Sequence, residues 1–121
     1  MITKKEWLDD QTYDKLIREY CVRTIYKIWN TYKKPASYYR ICENVMPQLL
    51  NEVFKDQPSR LPKKSTIERR IRETTEANIW KNGIPPCIRV KAGLFIPNPE
   101  LFEGEEKQEL LKVIEKYKNK P

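Results

Sequence analysis

The chain has no histidine, three glycines, and no apolar run near the roughly 20 residues needed to cross a bilayer. Each lack removes a class of function. Without histidine, no side chain has an ordinary pKa that puts its proton in play near neutrality. Three scattered glycines build no Gly-rich phosphate cradle. Cys21, Cys42 and Cys87 are odd in number, include no C-x-x-C pair and have no histidine to complete a zinc set, so zinc and a disulfide framework are both unexpected. Cys21 and Cys42 fall on apolar helical faces, where a free thiol acts as a small hydrophobe, and all three are read as reduced and structural. Asp9, Asp10 and Asp14 read as helix-start charges in preference to magnesium ligands. The expectation is a non-enzymatic protein with no cofactor, no metal and no small-molecule ligand. Met1 to Trp7 has no hydrophobic signal region. A soluble cytoplasmic protein with no membrane partner is therefore expected.

What is present suffices for one domain spanning 1–121. A hydrophobic fraction of 39% supplies a core, while 34% charged residues and a mean hydropathy of −0.80 describe a wet surface. The net charge of +7 is concentrated. Residues 55–91 hold ten Lys or Arg against four Asp or Glu, whereas the segments on either side are close to neutral. A localised basic field is the electrostatic footprint of a nucleic-acid partner, although a membrane surface or an acidic protein would attract it too.

Apolar residues recur at helical spacing from Tyr13 to Tyr32, which predicts a long first helix over about 5–33, with Thr3 and Glu6 as a candidate capping box. Ser37 caps a second helix over about 37–54, through which the apolar phase runs across Pro47 without a slip. Tyr39 and Arg40 lie off that stripe, where they either touch a phosphate backbone or, the favoured reading, are ordinary surface near a helix start. A proline-bearing loop then leads to K-K-S-T-I-E-R-R-I-R-E. Ser65 and Glu68 form a capping-box pattern, predicting a helix over about 65–80 whose buried side carries Ile67 and Ile71. Thr66, Arg69, Arg70 and Glu73 are expected on the opposite, outward side, with Lys63 and Lys64 before the cap. C-I-R-V-K-A-G-L-F-I-P predicts a hairpin over about 87–97 with one apolar and one basic face, turning at Ala92 and Gly93. A final amphipathic helix over about 105–118 carries Leu110, Leu111, Ile114 and Tyr117, and either docks on the body or pairs with a second copy.

The fold class expected is mainly α with a small β-hairpin. Three helices followed by a basic hairpin resemble the winged helix-turn-helix fold of DNA-binding domains, over roughly Ser37 to Leu101, here with a long N-terminal helix and a C-terminal helix added. S-T-I-E-R-R-I-R-E resembles the recognition helices of that superfamily, and I-R-V-K-A-G-L-F-I its wing. The resemblance implies sequence-specific binding of double-stranded DNA, as a small transcriptional regulator or a replication or recombination accessory protein. It places Thr66, Arg69 and Arg70 at base edges and Lys63, Lys64, Arg89 and Lys91 on phosphates, with Ser65 and Arg72 on the same helix completing the set. A homodimer through the N- or C-terminal helix is compatible with it. The alternative is a non-enzymatic protein-interaction module on the same scaffold.

Overall fold

The computed structural model describes residues 10–118. Among them lie four α-helices and a three-stranded antiparallel sheet. Helix α1 covers Asp10–Tyr32; the expected start near Lys5 and the Thr3–Glu6 box lie outside the described residues. Its long apolar stripe is core, with Ile17, Cys21, Ile25 and Trp29 buried, while Tyr32 emerges at 54% exposure. The helix stops where Lys33 turns left-handed (φ 54°) and donates its N–H to the Trp29 carbonyl at 2.8 Å.

Strand β1 is two residues long, Ala36–Ser37, and leads directly into α2, Tyr38–Glu52. The Ser37 hydroxyl accepts the Arg40 N–H at 3.1 Å, the N-cap expected of it. Pro47 sits within an unbroken α2, whose buried residues are Ile41, Cys42, Val45 and Leu49. The helix ends at Glu52, slightly before the expected 54, because the N–H groups of Val53 and Phe54 both converge on the Leu49 carbonyl and Phe54 turns into the core.

The loop that follows contains one short 3-10 turn, Pro58–Arg60, and delivers the chain to α3, Lys64–Glu73. Two expectations fail here. Lys63 and not Ser65 stands at the N-cap, with no side-chain cap bond, so Ser65 lies inside the first turn and the capping box is not used. Leu61, just before Pro62, is held extended (ψ 137°) and Lys63 continues extended (ψ 158°), so helical turns begin at once with Lys64. The helix also stops well short of residue 80. Thr74 and Thr75 donate their hydroxyls back to the Ile71 and Arg72 carbonyls, and the Trp80 indole N–H donates to the Glu73 carbonyl at 3.0 Å.

Strands β2 (Cys87–Lys91) and β3 (Leu94–Pro97) form the expected hairpin, with Gly93 at φ 76° in its turn. β3 is the central strand and β1 pairs with its other edge, Ala36 opposite Phe95 and Ser37 opposite Leu94. The hairpin does not have one apolar and one basic face throughout. Cys87 and Phe95 enter the main helical core, whereas Ile88, Val90 and Ile96 pack with Trp29 and Leu110 in a second cluster. The sheet is thus buried on both sides at its base, and only the β2 positions Arg89 and Lys91, toward the tip, are exposed cations.

Helix α4, Gly104–Lys118, covers that second side through Leu110, Val113 and Ile114. Glu105 and Glu106 at its start and Lys116 and Lys118 at its end complement the helix dipole. Of the two roles foreseen for it, docking on the body is the one observed, and Leu111 points away from the contact. No described helix is long and apolar enough to cross a membrane.

Candidate nucleic-acid interface

Helix α3 is seated by Ile67 and Ile71, both fully buried. Fully burying a side chain of this size contributes about 1.5–3 kcal/mol each. Arg70 follows Ile67 by three residues and shares its face, so it also turns inward and is 8% exposed. This corrects its expected outward placement, and Glu73 is corrected with it. Arg70 Nη1 lies 2.7 and 2.9 Å from the two Glu73 carboxylate oxygens and 3.6 Å from Asp14 Oδ2. Arg18 of α1 donates to the same Glu73 through Nε at 3.2 Å and Nη2 at 3.0 Å. The four groups clamp α3 onto α1, and Arg70 Nε is left buried without a partner. Arg70 is no groove reader.

The other cations do face water. Lys63, Lys64, Arg69 and Arg72 on α3, and Arg89 and Lys91 on β2, are all exposed, as is Ser65; Thr66 is half-buried. Among the described residues, no carboxylate forms an ion pair with any of these six cations. Two contacts join the helix and the hairpin into one surface. Arg72 and Arg89 line a shared groove of about 420 Å³, floored in part by Phe95. At the other end Lys64 Nζ lies 5.9 Å from the centre of the Tyr39 ring, next to Tyr38, against which Gly93 of the hairpin turn packs. The register slips between Arg89 and Lys91, so β2 carries one more residue than β3 there. Such bulges add local twist, here just below the cationic tip.

Of the nine sequence-predicted residues the structure exposes seven, half-buries Thr66 and turns Arg70 inward. It adds Tyr39, 66% exposed on the first turn of α2. Its sequence signal was an aromatic residue off the apolar stripe and next to an arginine. The thiols lie beneath the surface and are not part of it. Burial pushes the Cys87 thiol up to about 12 and Cys21 beyond that range, while Cys42 is raised first by burial and then by nearby Glu68, with Lys64 opposing. All three are free and buried.

No family model, curated protein or solved structure matches this chain.

Proposed function

We propose that this protein binds double-stranded DNA with sequence preference, without a catalytic step, using a winged-helix arrangement in which α3 enters the major groove and the β2–β3 hairpin lies on the backbone. The observation that carries the reading is the set of six exposed cations, none ion-paired to a described carboxylate, on one short helix, its N-cap and one hairpin, with Arg72 and Arg89 lining a shared groove. The order of elements supports it as well: three helices precede the hairpin, and a strand between the first two pairs with β3. Arg69 and Arg72 are the guanidinium groups available for base edges, each bidentate pairing with guanine contributing about 1–3 kcal/mol of discrimination. Lys63, Lys64, Arg89 and Lys91 hold phosphates, helped by the first N–H groups of α3, which no side chain caps. Reduced, buried thiols support a location inside the cell.

The test is a titration of labelled random-sequence duplex, followed by anisotropy at two salt concentrations and then by site selection. Expected is binding that weakens steeply with salt, and a selected site whose preference relaxes in Arg69→Ala and Arg72→Ala but not in Lys63→Ala. No binding to duplex at low salt would sink the reading and leave the basic face as a dock for an acidic protein.

A further inference from the structure

Two aromatic rings are exposed among the described residues, Tyr32 and Tyr39, and both sit where α1 ends and α2 begins. Each has a cation against its ring. Arg40 Cζ lies 4.8 Å from the Tyr32 centroid, and Lys64 Nζ lies 5.9 Å from the Tyr39 centroid. Tyr39 and Arg40 are consecutive on the first turn of α2, one reaching toward α3 and the other toward α1. The result is an alternating row, Lys64, Tyr39, Arg40, Tyr32, that begins on the basic face of α3 and leaves it across α2. Beyond Tyr32 the row opens into a groove of about 470 Å³ between α1 and α2, where Lys27 joins Arg40 and where Glu43, Asn44 and Thr31 offer polar groups.

We propose that this row is a platform for an unpaired nucleic-acid strand continuing from the duplex held by α3. A paired base has both faces occupied by its neighbours, so exposed aromatic rings offer a duplex little. An unpaired strand has free base faces that stack on tyrosine or on a guanidinium plane, while flanking cations follow its phosphates. Glu43 is the one carboxylate lining the groove and faces two cations there, so the groove remains net basic. The groove takes a single base, whose edge meets Asn44, Thr31 and Glu43. The preferred substrate is then a junction between paired and single-stranded DNA, which rests on the duplex reading for the paired side alone.

The experiment compares three labelled probes by anisotropy: a blunt duplex, the same duplex with an oligothymidine extension, and oligothymidine alone. Each is titrated with the wild type, Tyr39→Leu and Tyr32→Leu. The extended duplex is expected to bind the wild type at least roughly tenfold more tightly than the blunt one. Each tyrosine variant is expected to lose about five- to a hundredfold on the extended probe, the range for one stacked base, and Tyr32→Leu, whose ring meets Arg40 and not the α3 cations, leaves blunt-duplex affinity unchanged. Equal affinity of the wild type for blunt and extended probes would overturn the proposal, as would an extension effect that survives both substitutions. Failure of the duplex reading looks different: the blunt probe is not bound, and tyrosine-dependent binding of oligothymidine alone would still support the platform.

Discussion

Replacing Arg69 with alanine removes a solvated charge, whereas replacing Arg70 with alanine takes from Glu73 its closest partner. Arg70→Ala is expected to lower stability by about 2–3 kcal/mol, near the lower edge for a broken buried pair because Arg18 still holds Glu73. Arg69→Ala should stay within about 0.5 kcal/mol of the wild type in urea unfolding while losing sequence preference. The reverse pattern would show that the two side chains have been misplaced. Spacing alone separates them weakly in the sequence, residue 70 falling at the margin of the buried stripe. Ile67 and Ile71 define a stripe only one residue wide, residue 70 is three beyond Ile67, and what holds it inward is Glu73 on its own helix and Asp14 on α1. The thiols give a second expectation at this scale. Their pKa values are raised above the ordinary value near 9, so below pH 9 both folded and unfolded chains keep the protons and stability does not change on their account. Above pH 9 the unfolded chain loses them first, and each fully buried thiol removes about 1.4 kcal/mol per pH unit, for Cys87 until about pH 12. Urea midpoints measured at rising pH should fall, and Cys87→Ala should flatten that fall by about one proton. An unchanged slope in the variant would contradict the burial of this thiol.

Helix α3 owes its short length to groups beyond its own hydrophobic period. Its start was misread by one residue because a capping-box pattern is necessary for the motif but the backbone leaving Pro62 decides where helical turns begin. Its stop was not legible, since Thr74, Thr75 and the Trp80 indole each act on a carbonyl of the last turn. Trp80→Phe keeps the ring and deletes the donor to Glu73, so a loss of about 1 kcal/mol is expected, read as a fall of a few degrees in the thermal midpoint. No change would mean that the carbonyl finds water instead. The longer elements were more legible: α1 and α2 each carry enough buried positions to fix a period, and α4 repeats Leu110, Val113 and Ile114 along one side. The hairpin was legible through its Ala92–Gly93 turn and alternating β2. Strand β1 was not, because two residues carry no periodicity and their partner lies far along the chain.

For the molecule as a whole, the sheet divides the interior into a helical core and a smaller cluster under α4, and the cations of α3 and of the hairpin are left exposed, Arg72 and Arg89 on a shared groove. That the excess charge forms one face was legible from its concentration in residues 55–91. Which faces it joined was not, because Tyr39 and Lys64 meet only through folding. If Lys63, Lys64, Arg89 and Lys91 each neutralise a phosphate, the logarithm of the affinity should fall against the logarithm of salt with a slope of about −3 to −4. Lys63→Ala should make it shallower by about one. A slope near zero, or one that Lys63→Ala leaves untouched, would remove these phosphate assignments.

The central place of β3 also gives the face a schedule during synthesis. Chains emerge N-terminus first, and β3 must supply the partner for β1, made long before it, and for β2, made just before it. The Tyr26 hydroxyl, donating to the Pro86 carbonyl 60 positions later, waits in the same way. Closing such distant pairs costs chain entropy before the contacts return it, so they belong to the slow part of folding. A nascent chain that has just released α3 therefore carries its lysines and arginines with no hairpin to set beside them. Only when Leu94–Pro97 has been made does the sheet close and set the hairpin cations beside those of α3, so the surface proposed to hold DNA belongs to the finished domain and not to the growing one.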